Sequence, residues 1–228
     1  MYLSKLLLNI RHSQVRKDIA RGHEMHRTLL RAFPEVQSGT ESARSHYGVL
    51  YWLDTSGERD VTLLAQSRLP PTWEQLPSGY LTRPAAVKNI APLFDSIQQG
   101  QVFRFRLRAN PTLKRGGTSK EERQSGEPKR NSKRIFLVGQ EAQAEWLMRQ
   151  GEKYGFQTLV DHTGAPSIRI GASQSLLLGK GGKGQVIHVD YYGLLQVTDD
   201  ERFRTALIEG IGPAKSYGCG MMMLLERR

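Results

Sequence analysis

The order of apolar strands and amphipathic helices along this 228-residue chain predicts an α+β protein made of two consecutive β-α-β-β-α-β units. Three observations point to it. The chain opens on an apolar run followed at once by two short helical patterns. A strand at 102–108 restarts that order near the middle. Between them, 70–99 carries Pro70, Pro71, Pro77, Pro84 and Pro92 and ends as a connection between the halves.

In the first half, 2–9 is apolar and strand-like. Ser13 is placed to cap a short helix over 14–20. Gly22 interrupts the chain, and a second helical segment runs over 23–33 to its stop at Pro34. Its apolar stripe is Met25, Leu29, Ala32 and Phe33, with Arg27 and Arg31 on the wet flank. The aromatic run 47–53 (YGVLYWL) reads as a strand. Residues 61–66 read as its antiparallel neighbour, joined through Ser56-Gly57. The proline-rich stretch is expected to be irregular, with a strand near 79–81, and the second helix of this half is not apparent.

In the second half, Phe103, Phe105 and Leu107 alternate with Arg104, Arg106 and Arg108, so the strand has one apolar face and one wholly basic face. Residues 112–134 are rich in Lys, Arg, Gly and Ser and read as a mobile basic loop. A helix over 140–154 places Ala144, Leu147, Met148, Gly151 and Tyr154 on one stripe. Residues 167–178 and 185–192 read as two strands, joined by the Gly-Lys tip 179–184. Asp199 is placed to cap a last helix whose core face is Phe203, Ala206 and Leu207. A glycine-rich turn and a methionine-rich strand close the chain. This order is that of tandem ferredoxin-like (RRM-like) domains, over 1–96 and 101–228.

Lys and Arg number 33 against 22 Asp and Glu, a formal net charge of +11. Such an excess favours a polyanionic partner, since each phosphate contact releases a counterion. A solvated basic surface is the plainer alternative. Cys219 is the only cysteine, which excludes an intrachain disulfide and fits the cytoplasm. No run of about 18 apolar residues predicts a membrane span, and the opening apolar stretch is too short for a signal peptide.

His23 and His26 stand three apart, on one side of the second helix at about 100° per residue. His26 falls at the edge of the buried stripe. A histidine there has a packed, oriented ring and can exchange a proton near neutral pH; Arg27 beside it supplies positive charge for a phosphate. By spacing alone, two histidines packed at a helix boundary are the commoner situation. A metal site would need further ligands; the one nearby carboxylate, Glu24, is expected to point elsewhere, and His12, His46, His162 and His188 are scattered.

The run 210–220, GIGPAKSYGCG, lets the backbone bend sharply and approach a phosphate. It is neither a Walker loop nor a dinucleotide fingerprint, and a plain turn is the alternative. The tip at 179–184 presents two ammonium groups that suit a duplex RNA backbone, although glycine-rich tips are commonly only mobile ends.

Taken together, MYLSK at 1–5, HEMHRTL at 23–29 followed by Phe33-Pro34, FRLRANP at 105–111, EWL at 145–147 and the 210–220 run resemble the CasE/Cse3 family. These are the CRISPR precursor-RNA endoribonucleases of the type I-E Cascade complex, and the resemblance spans almost the whole chain. It implies two tandem ferredoxin-like folds and a repeat-derived hairpin RNA as substrate. It implies cleavage at the 3′ base of the stem by 2′-hydroxyl attack, without metal or cofactor, and retention of the product within Cascade. By position His26 matches the catalytic histidine. His23 falls where the family commonly has a tyrosine, and positioning, proton transfer and packing all stay open for it. The RNA-facing positions implied are Arg106, Arg108 and Asn110 on the second-domain strand, Lys114 and Arg115 after it, Arg149 on the helix, Lys180 and Lys183 on the hairpin, and Lys215 in the glycine-rich loop. A non-catalytic RNA-binding subunit of the same complex is the leading alternative. A nuclease outside CRISPR comes next, and an anion-binding metabolic enzyme ranks far lower, lacking a complete cofactor motif.

Overall fold

The computed structural model describes residues 1–35, 46–55, 61–114, 134–160, 162, 164, 166–177 and 184–225. The first unit runs β1 (Tyr2–Leu8), α1 (Ser13–Ala20), α2 (Gly22–Leu30), β2 (Leu50–Asp54), β3 (Val61–Ser67), a 3-10 turn (Trp73–Gln75) and β4 (Ala86–Asn89). Its sheet has the order β2-β3-β1-β4, with every pair antiparallel. The connecting helix α3 (Ala91–Asp95) leads into β5 (Val102–Ala109), β6 (Thr112–Lys114), β7 (Arg134–Phe136) and α4 (Gln140–Tyr154). There follow β8 (Phe156–Thr158), β9 (Ile168–Ile170), β10 (Gln174–Leu177), β11 (Gln185–Val197), α5 (Asp200–Glu209), a second 3-10 turn (Lys215–Tyr217) and β12 (Met222–Leu225). The second sheet runs β10-β11-β5-β12, with β8 and β9 also on β11. In each sheet the opening strand lies between the last two strands of its unit, so the two halves share the expected ferredoxin-like layout.

Alternation fixes which face each strand buries. Ser4, Leu6 and Leu8 of β1 point into the first core with Leu63 and Ala65, under Val15, Met25 and Leu29 of the helices. No full second helix covers this sheet among the described residues; Trp73 of the 3-10 turn fills part of that space, and its Nε1 donates to Ser4 Oγ at 2.9 Å. That bond satisfies a hydroxyl that would otherwise be buried unpaired. In the second unit Phe105, Leu107 and Ala109 face Trp146, Leu147, Phe203, Ala206 and Leu207. Ile90, Phe94 and Ile97 of the connection pack into this second core as well.

Several expectations need correction. His12, not Ser13, caps α1, because its Nδ1 accepts from the Gln14 amide at 3.2 Å. Helix α2 ends at Leu30; the Ala32 and Phe33 amides bond only three residues back, a tightened last turn before Pro34. The strand expected at 47–53 is Leu50–Asp54, and the one near 79–81 is only a Leu8–Leu81 bridge, while β4 lies further on. Thr112–Lys114 and Arg134–Phe136 pair as a hairpin base where a loop was expected; 115–133 lie outside the described residues. The strand over 167–178 is two strands, β9 and β10, and β8 is additional. On α4, Trp146 is buried and Met148 exposed, so the stripe is rotated from the one predicted. Asp199 does cap α5, accepting from the Arg202 amide at 3.0 Å.

The two sheets meet through the faces turned away from their helices. Leu50 and Trp52 pack against Met221, flanked by Leu3, Leu64 and Met223. Gln66 Nε2 donates to the Leu207 carbonyl at 2.7 Å. Arg106 and Arg108 lie over the Trp52 ring, at 4.1 and 4.3 Å from its centroid. The basic face of β5 is therefore partly enclosed rather than wholly open. No helix among the described residues is long and apolar enough to cross a membrane.

Trp52 is almost fully buried and carries both guanidinium contacts. Trp52→Ala is expected to cost about 3–5 kcal/mol, from lost burial and a residual cavity, measured as a fall in the urea midpoint.

Candidate active site at the start of helix α2

Helix α2 starts where three distant segments converge. Its first residue, Gly22, is closely packed: a Cβ there would stand 2.3 Å from Leu176 Cδ2 of β10, which would have to move, and 3.3 Å from Tyr217 Cα of the second 3-10 turn. The Tyr51 hydroxyl, buried beneath, donates to the Gly22 carbonyl at 2.9 Å and reaches the Ser216 carbonyl at 3.4 Å. Burial, the largest cause, raises the Tyr51 pKa far above the ordinary phenol range, so the hydroxyl stays a donor. The glycine-rich segment is shaped to lie here. Gly218 has φ +77°, and a Cβ on it would meet the Tyr51 ring at 2.9 Å. Its ends are closed by the Gly220 amide donating to Arg108 O at 2.7 Å and the Ile211 amide donating to Gly220 O at 2.9 Å.

His23 and His26 differ in access. The His23 side chain is 36 % exposed, and its ring lies 6.4 Å from that of Tyr217, tilted by 60°. His26 is only 6 % exposed, deeper than the stripe edge expected for it. The 3-10 turn packs against α2 and narrows the face that the helix pattern alone leaves to solvent. Glu24, expected to point away, instead bridges its neighbours: its Oε1 is 3.1 Å from His23 Nε2, and its Oε2 pairs with Arg27. Arg27 remains 69 % exposed.

The expected RNA-facing residues divide into two groups. Arg108 forms a bidentate pair with Asp190, Nε to Oδ1 at 2.8 Å and Nη2 to Oδ2 at 3.0 Å, and its Nη1 donates to Leu53 O at 3.0 Å. Arg106 lies over both Trp52 and Tyr192, 3.7 Å from Asp190. Asn110 is buried and donates to Ile187 O. These three hold the second sheet together and against the first. Lys114 is exposed on β6, and Arg149 is exposed on α4 with an ion pair to Glu145 at 3.5 Å. Lys215 stands half-buried in the 3-10 turn facing α2. Arg115, Lys180 and Lys183 lie outside the described residues. Residues not foreseen at the site are Tyr51, Leu176, Tyr217 and Asp190; only Tyr217 lay within a singled-out run. Among the described residues, no three His, Cys, Asp or Glu side chains gather as metal ligands.

A family model described as CRISPR associated protein matches residues 1–226. The chain is 32 % identical to CRISPR-associated endoribonuclease Cse3 of Thermus thermophilus, over 97 % of this chain and 98 % of the relative. It is 28 % identical to CRISPR system Cascade subunit CasE of Escherichia coli K12, over 98 % of each. Its structure is similar to that of Thermus thermophilus Cse3 bound to an RNA representing a pre-cleavage complex, with a TM-score of 0.78, 30 % identity, and coverage of 99 % of this chain and 98 % of that one.

His188 of β11 is buried beside the Arg108–Asp190 pair, and neither of its ring nitrogens has a hydrogen-bond partner. Desolvation, helped by Arg108, lowers its pKa to about 4. Above pH 6.5 the ring is neutral folded and unfolded alike. As pH falls from 6.5 towards 4 the unfolded chain takes up a proton that the folded chain refuses, so stability is lost across that window, by roughly 3 kcal/mol. Denaturant titrations at pH 7 and pH 4.5 should show this loss, and His188→Leu should reduce it.

Proposed function

This chain belongs to the CRISPR-associated protein family, and on that premise we propose that it is the endoribonuclease that matures CRISPR RNA. It binds the repeat stem-loop of precursor crRNA, cuts at the 3′ base of the stem, and stays on the product as a Cascade subunit. The names of its relatives support RNA cleavage and a place in Cascade: an endoribonuclease solved on a pre-cleavage RNA, and a Cascade subunit. The carrying observation in this chain is the seating of the His23–His26 helix start against the glycine-rich turn and β10.

In this reading the 2′-hydroxyl of the nucleotide before the cut loses its proton to one imidazole and attacks the adjacent phosphorus. The P–O5′ bond breaks, and the 5′ oxygen takes a proton from the other imidazole. A 2′,3′-cyclic phosphate or 3′-phosphate and a 5′-hydroxyl remain, and no metal is required. The net charge of +11 attracts the stem. Arg27, Lys114 and Arg149, with Lys215, Arg115, Lys180 and Lys183, supply phosphate contacts. Arg106, Arg108 and Asn110 act mainly by holding the sheets that carry those contacts. We assign 1–96 to the catalytic domain and 101–228 to the RNA-binding domain. An RNA substrate and a single cysteine fit work in the cytoplasm.

His26→Ala should lower the single-turnover cleavage rate of the repeat hairpin by at least about 100-fold, with its affinity nearly unchanged; wild-type cutting would refute the assignment. Cleavage in EDTA should proceed at the wild-type rate. A 2′-deoxy nucleotide at the cut site should leave the RNA bound and intact; cleavage of that RNA would rule out attack by the 2′-hydroxyl.

A further inference from the structure

We propose that Glu24 is a positioning residue that makes His23 the proton acceptor of the reaction, an inference resting on the reading that His23 and His26 are the proton-transfer pair. The argument begins with one distance. His23 Nε2 lies 3.1 Å from Glu24 Oε1. Two acceptors cannot share a hydrogen bond, so Nε2 carries the hydrogen, and in the neutral ring Nδ1 carries the lone pair. The carboxylate itself is held: its other oxygen pairs with Arg27, one turn along the same helix. It is also partly shielded, with 17 % exposure.

The setting makes this carboxylate matter. His23 and Glu24 sit in the first turn of α2, and the Arg21 side chain does not cap it. Backbone N–H groups there favour a carboxylate and disfavour an imidazolium. Glu24 stands where those N–H groups favour an anion and sets its carboxylate against the His23 ring. Among the described residues no other carboxylate is paired with His23. From the second 3-10 turn, α2 is faced by Tyr217 and Lys215; from β2, by the Tyr51 hydroxyl; from β10, by apolar Leu176. On α1, the Asp18 carboxylate is occupied by Tyr80 and Gln14. On α2 itself the other charges are Arg21 and Arg27.

The balanced step is then specific. The 2′-hydroxyl proton passes to His23 Nδ1 as the 2′-oxygen bonds to phosphorus. The P–O5′ bond breaks, and O5′ takes its proton from His26. The imidazolium formed at His23 donates to Glu24, which stays ionised.

The test is the single-turnover cleavage rate of the repeat hairpin between pH 5 and 9, for wild type, Glu24→Gln, His23→Ala and the double variant. Glu24→Gln should lower the plateau about 10-fold and move the acid limb to lower pH, because removing a carboxylate makes the imidazole harder to protonate. In the His23→Ala background it should have no further effect. An acid limb unmoved by Glu24→Gln, whatever the rate, marks a merely structural carboxylate and overturns the proposal, as does full additivity with His23→Ala. The foundation is tested apart: wild-type cutting by His26→Ala brings down the proton-transfer reading, whereas an unmoved acid limb brings down Glu24 alone.

Discussion

The Arg108–Asp190 pair is the contact around which the two sheets are registered. It joins neighbouring strands of the second sheet, β5 and β11, and through the Leu53 carbonyl and the Trp52 ring it reaches into the first. Both side chains are largely enclosed, at 14 and 13 % exposure. Loss of Asp190 would strip the shared carboxylate from two guanidinium groups, since Arg106 also lies within 3.7 Å of it, which is far worse than loss of the pair. The neighbourhood reinforces this: His188 stays neutral there, and burial, its largest cause, raises the Cys219 pKa to about 12. A dry junction with one paired charge has few alternative arrangements.

That junction also positions the candidate site. The Arg108 carbonyl accepts from the Gly220 amide, so the strand bearing the ion pair also anchors the glycine-rich segment. The segment carries its 3-10 turn onto α2, and the Tyr51 hydroxyl links the two from below. The helix that carries His23 and His26 belongs to the first half of the chain, and the 3-10 turn and β10 that pack against it belong to the second. The candidate site is therefore assembled from both halves.

Much of the fold was legible because strong periodic patterns carried it. The apolar run of β1, the alternation in β5, the apolar stripe of α2 and the Asp199 cap of α5 are local properties, and each appears as expected. Short elements were not legible. β4 has no buried residue, β8 and β9 have three residues each, and Trp73 stands in for helix by tertiary packing alone. The candidate site was legible only as two histidines three apart in a run of family resemblance. Their surroundings were not, since Tyr51 and Ser216 are 165 residues apart and no local pattern couples them. The basic face of β5 was read correctly as a pattern and incompletely as a surface, because a single sequence does not show that Trp52 will cover it.

Adjacent positions on α2 are under opposite freedoms. Gly22 is sealed between Leu176 and Tyr217, whereas the ring of His23 extends past them towards solvent. A side chain at 22 would have to displace Leu176, whereas a different ring at 23 keeps the same outlet to solvent. The proton chemistry proposed for His23 thus rests on a position that packing does not dictate, and it can be altered there without disturbing the architecture that presents it.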